Sequence, residues 1–229
     1  MLVTIGGRNA ALDALALNRV DLCTGFPGQT NANVVTGGTY AQQPITFGVA
    51  SAGVRTSTIA PVFAGLPAPV TVSWVSFLKQ AGNVPEAVSP NGAAPKEFQV
   101  STLVANSVYA AAHGYAAGQK IVFYGGAPPS TLTEGFTYVV CTAGGAGYTA
   151  DNFQVALPST PATPIPIGST QAATSCVVSV IVEESFSAPG GTFTLQTGAT
   201  VSLNFSESLC HLLPHRTLRS RRRLTPALL

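Results

Sequence analysis

VTVSWVSFL, residues 70–78, has the two-residue repeat of a β-strand. Val70, Val72 and Trp74 fall on one face of an extended chain, and the hydroxylated residues between them fall on the other. Apolar and polar residues that alternate in this way are typical of a strand with one buried face. We therefore predict one strand over 70–78, with the two valines and Trp74 pointing the same way.

Similar segments recur along the chain, and glycine, proline and asparagine separate them. Those residues favour turns, and several short strands joined by turns are typical of a β-sandwich or a β-barrel. Residues 80–96 hold three prolines and two glycines, and we predict a loop there. The other predicted strands are 21–24, 44–48, 54–60, 97–104, 119–124, 136–142, 152–156, 175–183, 193–195 and 201–206.

One short helix is predicted near the start of the chain. Asn9 is a good N-cap, because its side chain accepts hydrogen bonds from the amides of a first helical turn. Residues 10–17 follow, with Leu12, Leu15 and Ala16 at helical spacing. This helix is barely two turns long, so we expect it to depend on tertiary packing.

The charge of the chain is low and unevenly placed. Only 9% of the 229 residues are charged, against about 25% in an ordinary soluble domain. Residues 1–205 hold six Lys or Arg and eight Asp or Glu, a net −2. Six scattered cations cannot build the basic face that phosphate binding needs, so nucleic acid is not an expected partner. We expect no membrane insertion either, because no run of 18 apolar residues occurs.

Residues 206–229 differ from the rest in composition, so we place a boundary near Phe205. They hold seven Leu, five Arg and one Glu, a net +4, and contain no Gly, Val or aromatic residue. We interpret them as a basic tail, extended or disordered alone, and its arginines are candidates to pair with carboxylates of a neighbouring subunit. A solvated tail without a partner, direct contact with DNA and an out-of-frame end are the alternatives. The candidate partner-binding residues are Arg216, Arg219, Arg221, Arg222 and Arg223.

The histidines and carboxylates give no catalytic or metal-binding pattern. His113 has no carboxylate or further ligand near it in the sequence, and we predict that it stabilises the turn at Gly114. His211 and His215 are four residues apart, but they lack a third ligand and Pro214 lies between them.

The remaining candidate groups also do not indicate a catalytic or metal-binding site. Glu183 and Glu184 are adjacent in a predicted strand, so they point to opposite faces and cannot flank one substrate. The four cysteines, at 23, 141, 176 and 210, are far apart and are interpreted as buried free thiols. We predict no catalytic residue, no cofactor and no metal.

Residues 20–40, VDLCTGFPGQTNANVVTGGTY, resemble small virion proteins of tailed bacteriophages that are described as tail-fibre or minor tail proteins. In that family, a strand ending in Thr and a Pro-Gly turn precedes a segment with Asn, Val, Gly-Gly and Tyr. The strand at 44–48, the strand at 70–77 and the closing hairpin at 191–204 also fit the family.

A second resemblance covers roughly 101–180 and is to a small β module of phage structural proteins. It rests on AHGYAAGQKIVF (112–123), GFTYVV (135–140) and DNFQV (151–155). Gln119 stands where this module usually has Asp. The fold is therefore predicted to be mainly β. The expected domains are a β-sandwich of 1–96 plus 181–205, with a short N-terminal helix, and an inserted small β-barrel-like module, 97–180.

The resemblance implies a structural component of a tailed phage particle, most directly in the tail tip or a tail fibre, without enzymatic activity. The expected partners are other virion proteins and further copies in a homo-oligomer. The expected location is the virion, assembled in the cytoplasm of the bacterial host. One alternative is a capsid decoration or head-fibre protein, and an enzyme such as a depolymerase is another. A third alternative is a module that binds a glycan receptor on the host surface through exposed aromatic residues, namely Tyr109, Tyr115, Tyr124 or Tyr148.

Overall fold

The computed structural model describes residues 5–79, 84–93, 95–101, 104–143, 148–167, 176–195 and 200–202. The predicted fold class is confirmed, since the chain is mainly β, with one helix and with one sheet curled into a half-barrel. No helix in these ranges is long and apolar enough to cross a membrane. The elements are α1 (Ile5–Ala14), β1 (Leu17–Cys23), β2 (Gln43–Pro44), β3 (Val54–Thr56), β4 (Val62–Leu66), β5 (Val70–Val72), β6 (Trp74–Lys79), β7 (Pro85–Pro90), β8 (Lys96–Glu97), β9 (Gln99–Val100), β10 (Ser107–Tyr109), β11 (Lys120–Tyr124), β12 (Thr137–Val140), β13 (Asn152–Ala156), β14 (Val177–Val180), β15 (Glu184–Phe186), β16 (Gly191–Thr194) and β17 (Thr200–Ser202).

Helix α1 lies earlier in the chain than predicted, and tertiary hydrogen bonds hold it. Asn9 is inside the helix, so its predicted role as the N-cap is wrong, and its Oδ1 accepts the backbone N–H of Gly53 at 2.8 Å. Asp13 accepts the backbone N–H of Ala50, also at 2.8 Å. Both N–H donors lie in the loop before β3, so no pattern within residues 5–14 predicts these bonds.

The predicted strand at 70–78 is two strands that belong to different sheets. β5 pairs with β15, and β6 pairs with β1 and β7. Ser73 separates them, and its N–H donates to the Cys23 carbonyl at 3.1 Å. Because of this break, Val72 packs in the first core whereas Trp74 packs in a different cluster. The expected common face of Val72 and Trp74 is therefore wrong.

A four-stranded antiparallel sheet has the order β2-β1-β6-β7. Its edge strand β7 lies inside the predicted loop of 80–96, so that loop prediction is wrong for 85–90. Pro85 and Pro90 stand at the two ends of β7, at the edge of the sheet, where a residue without an N–H is tolerated. The prolines therefore mark the two ends of β7 but do not prevent the strand from forming.

Three two-stranded ribbons complete the first unit, and each joins an early strand to a late one. The pairs are β15–β5, β16–β4 and β17–β3. The first core joins α1, the sheet strands β1 and β6 and the ribbon strands β4, β5 and β16. This core contains Leu12, Leu17, Val20, Leu22, Val35, Ile45, Phe47, Ala50, Phe63, Leu66, Val72, Val75, Phe77 and Phe193.

The half-barrel is a seven-stranded antiparallel sheet with the order β8-β14-β11-β12-β13-β10-β9. Its two edge strands, β8 and β9, are separated in sequence only by Phe98. The sheet therefore curls until both of its edges reach one short segment of chain, and Phe98 packs against the enclosed core. All seven strands lie between residues 96 and 180, while the domain limits at 96/97 and 180/181 stay a prediction.

Candidate functional site

The predicted partner-binding arginines, Arg216, Arg219, Arg221, Arg222 and Arg223, lie outside the described residues. The same is true of His211, His215 and Cys210. The tail therefore stays a prediction, and the contacts that the structure describes lie in the two β units.

An open groove of about 310 Å³ lies beside β12. Two large apolar residues on it are exposed, since Phe136 is 46% exposed and Leu157 is 40% exposed. The Phe136 ring lies 4.9 Å from that of Tyr138, at 60° between the ring planes. None of the residues that line the groove is charged. They are Thr131, Thr133, Phe136, Tyr138, Leu157 and Ile165.

The turn that carries this groove is fixed from both sides. The Tyr138 hydroxyl accepts the backbone N–H of Thr133 at 2.7 Å. Glu134 accepts the backbone N–H groups of Gly125 and Gly126 through Oε1, at 2.9 and 3.2 Å. The Glu134 carboxylate is thus engaged by a neighbouring turn, although the residue lies between two lining residues in sequence.

His113 is buried and holds the backbone around it. Its Nδ1 accepts the N–H of Tyr115 at 2.9 Å, and its Nε2 lies 2.8 Å from the carbonyl oxygen of Thr149. These two bonds select the neutral tautomer with its proton on Nε2. The rings of Tyr115, Tyr148 and Phe153 lie 5.0 to 5.7 Å from the imidazole. Since both nitrogens bond the backbone, His113 has the structural role that its sequence context predicts.

A buried carboxylate, Asp21, organises the long loop between β1 and β2. It accepts hydrogen bonds from Asn31 Nδ2 at 3.1 Å, from the Tyr40 hydroxyl at 3.1 Å and from Gln42 Nε2 at 2.7 Å. The Tyr40 hydroxyl also accepts the N–H of Leu22, and burial raises the pKa of Tyr40 well above its ordinary value. These residues lie in or beside the segment that carries the phage resemblance, and they fix its loop onto the sheet.

The four-stranded sheet and the half-barrel share a buried apolar junction. Trp74 of β6 lies between Phe26, at 5.0 Å, and Tyr124 of β11, at 5.4 Å, and both rings meet it edge-on. The buried residues of this junction are Cys23, Trp74, Val122, Tyr124, Val177 and Ile181, and Phe26, Val34 and Val88 pack against them. The two units are therefore in direct apolar contact.

Two chain segments cross between the units beside this junction, and hydrogen bonds hold them together. Asn91 accepts the N–H of Val182 through its carbonyl and donates its Nδ2 to the carbonyl of Val182 at 3.3 Å. Ser179 Oγ donates to the carbonyl of Ala93 at 2.6 Å. Gly92 lies so close to the Val180 backbone that a Cβ would overlap its carbonyl. The crossing segments 91–93 and 179–182 are thus fixed to each other.

The described cysteines are buried, and Glu183 is held in an ion pair. Cys23, Cys141 and Cys176 are free and buried, as predicted. Burial raises the pKa of the Cys23 and Cys176 thiols to about 12, so both stay protonated at neutral pH and are poor nucleophiles. Glu183 pairs with Lys120 Nζ at 2.6 Å. In the ranges that the structure describes, no three His, Cys, Asp or Glu side chains come together to hold a metal ion.

Two of the four tyrosines named for a glycan surface are buried. Tyr115 and Tyr124 are buried, with 4% and 6% of their surface exposed, so the expectation that they are exposed is wrong. Tyr109 is half-buried, and Tyr148, 39% exposed, donates its hydroxyl to the Tyr115 carbonyl. The exposed aromatic residue of the groove is Phe136, which the sequence placed only at the start of a strand.

Comparisons of the chain with protein-family models, with curated proteins and with solved structures find no match. The function must therefore be inferred from the residues and contacts of this chain.

Proposed function

We propose that the chain is a structural component of a tailed bacteriophage particle, placed in the tail tip or a tail fibre, and that it acts by protein–protein assembly. The observation that carries the proposal is the buried junction around Trp74. A subunit that bears load within a particle must keep its domains in one orientation. Here an apolar cluster and hydrogen-bonded crossing segments oppose movement of one unit against the other.

The composition supports assembly rather than catalysis. With 9% charged residues, the chain can bury large surfaces against neighbours while desolvating few ions. Exposed apolar residues lie on both units, among them Val49 at 83% and Val62 at 50% on the first unit and Leu157 at 40% on the half-barrel. We propose that such surfaces contact other virion proteins and further copies of the chain in a closed homo-oligomer. No enzymatic step is part of the proposal.

The predicted arginine tail has a place in this assembly. Arginine forms bidentate pairs with carboxylates, so the five arginines of 206–229 would dock on an acidic surface of a neighbouring subunit. Particles assembled with all five changed to Ala should incorporate less of the chain. Unchanged incorporation would remove the tail from the proposal and leave the β units as the assembly surface.

Mass spectrometry of separated tails and heads tests the location. Phage particles are disrupted, the two fractions are purified, and the chain is quantified beside the major tail and capsid proteins of the same particle. We expect recovery with the tails. Recovery with the heads alone would favour a capsid decoration or head-fibre protein, and absence from both fractions would refute a virion role.

A further inference from the structure

Asn91 and Gly92 form the one Asn-Gly pair of the sequence, and the pair lies in the crossing segments between the two β units. A glycine that follows an asparagine leaves its own backbone nitrogen accessible to the asparagine side chain, because glycine has no Cβ to hinder the approach. Every other asparagine of the chain is followed by a residue with a side chain. The fold therefore places the most reactive asparagine amide of the chain where the two units are joined.

Three hydrogen bonds fix Asn91 to two other segments of the chain. Its N–H donates to the carbonyl of Ser73 at 2.8 Å, and its own carbonyl accepts the N–H of Val182. Its Nδ2 donates to the Val182 carbonyl at 3.3 Å. Gly92 lies against the backbone of Val180, too close to leave room for a Cβ. The Asn91 side chain and the peptide group that follows it are therefore free to turn toward each other only when these contacts break.

We propose that Asn91 is a site of spontaneous deamidation, that opening of the crossing segments controls its rate, and that the product weakens the contact between the two units. The Gly92 nitrogen attacks Cγ of Asn91, so that a C–N bond forms and the bond from Cγ to Nδ2 breaks. The proton of the attacking nitrogen leaves with the amide group as ammonia, and a cyclic imide remains. Water then opens the imide at either carbonyl, which gives aspartate or isoaspartate. No oxidant or reductant takes part.

Both products disturb the crossing segments. In the aspartate product, a carboxylate oxygen replaces the Nδ2 donor and faces the carbonyl oxygen of Val182, so an attractive contact becomes a repulsive one. In the isoaspartate product, the main chain runs through the side-chain carbons of residue 91 and gains a methylene. That insertion moves Gly92 out of its close contact with Val180. Water does not restore the amide, so the modification accumulates in molecules whose crossing segments have opened.

The test compares deamidation of the full chain in the folded state and in concentrated urea, at mildly alkaline pH and physiological temperature. Trypsin cuts after lysine and releases residues 80–96 as one peptide, and fragmentation in the mass spectrometer assigns the conversion to Asn83 or Asn91. In urea, Asn91 should convert well before Asn83, which precedes the β-branched Val84. In the folded chain, Asn91 should convert at least about tenfold more slowly than in urea, because local opening must come first.

A matched pair of variants tests the link to the junction. Val88 packs against the junction, whereas Val155 is fully buried in the core of the half-barrel. Val88→Ala should raise the rate of conversion at Asn91 several-fold, because it loosens the packing beside the crossing segments. Val155→Ala makes the same chemical change outside the junction and should leave that rate at its wild-type value.

A second pair of variants tests the effect of the product. Asn91→Asp supplies the aspartate product directly, and its Trp74 emission should shift to longer wavelength at lower urea than in the wild type. Asn106→Asp is the control, since it makes the same charge change at an exposed residue. The Oδ1 of Asn106 accepts the N–H of Ile167 at 3.2 Å, which a carboxylate can also do, so its unfolding curve should match the wild type.

Equal rates of conversion at Asn91 in the folded chain and in urea would overturn the inference, and so would the absence of conversion at Asn91 in urea. Equal rates in Val88→Ala and Val155→Ala, with folding of both verified by circular dichroism, would show that the junction does not control the reaction. An Asn91→Asp unfolding curve identical to that of the wild type would show that the product does not weaken the contact between the units. None of these results depends on whether the chain belongs to a virion.

Discussion

Replacing Tyr124 by Ala should lower the free energy of unfolding by about 3–5 kcal/mol, the usual cost of emptying a buried aromatic site. Tyr124 is 6% exposed, and its ring meets Trp74 at 5.4 Å with an angle of 90° between the ring planes. That edge-on pair contributes about 0.5–1.5 kcal/mol beyond the burial itself. Tyr124→Phe keeps the ring and its edge-on contact with Trp74, so it should cost no more than about 1 kcal/mol.

Trp74 is the natural reporter for this experiment, since the chain has one Trp and both variants retain it. Urea unfolding is followed by the Trp emission maximum and, on the same samples, by far-UV circular dichroism of the strands. In the wild type and in Tyr124→Phe the two curves should coincide, because the junction is continuous with both sheets. In Tyr124→Ala the emission should shift to longer wavelength at lower urea, as water enters beside the indole.

Equal losses of stability in Tyr124→Ala and Tyr124→Phe would refute the reasoning, because they would show that the ring adds nothing to the junction. A red shift of Trp74 in the wild type well before the strands unfold would refute it as well. That result would mean that the two units separate while each stays folded, and the rigid coupling in the proposed function would fail with it.

Three further predictions concern the buried polar groups and the junction. Asp21→Asn should lower the free energy of unfolding by about 1–3 kcal/mol in urea titrations, because the new amide N–H₂ faces hydrogen-bond donors; a neutral result would mean that the loop does not depend on the carboxylate. His113→Phe should cost a similar amount, about 1–3 kcal/mol, since it leaves a buried backbone N–H and a carbonyl unpaired, and a stability equal to wild type would remove its structural role. Burial raises the pKa of Cys23 and Cys176 from 9.0 to about 12, so the folded state keeps protons that the unfolded chain releases. The contribution of these two thiols to the free energy of unfolding should be fully present below about pH 9 and should be lost as the pH rises toward 12. When both cysteines are changed to Ala, the free energy of unfolding should fall less steeply as the pH rises. An unchanged pH dependence would mean that other groups cause it.

The strand content could be predicted from the sequence because alternation and turn residues are local properties. The strand predicted at 152–156 has the bounds of β13, and 119–124 differs from β11 by one residue. The failures occur where a distant segment decides the local structure. β7 forms between prolines because β6 offers it an edge, and Asn9 leaves its predicted capping role because Gly53 comes within reach.

The functional site was predictable to a smaller extent. His113 could be assigned a structural role because its sequence neighbours offered no ligand or carboxylate. The groove beside Phe136 could not be predicted, because in the sequence Phe136 looks like any buried apolar residue of a strand. Only the packing of Leu157 and Ile165 beside it creates a concave surface. The buried Asp21 was missed for the same reason, since its partners Asn31 and Gln42 look like ordinary polar loop residues.

By itself, the sequence determined the β class, the scarcity of charge and the basic character of residues 206–229, because each is a property of composition or of neighbours along the chain. Only the tertiary structure decided which face of each strand is buried and against what. The clearest case is the segment 70–78, whose alternation predicts one strand with one inner face. The break at Ser73 sends Val72 into the first core and Trp74 into the junction between the two units. Alternation specifies two faces, but the partner of each face is fixed by strands that are distant in sequence.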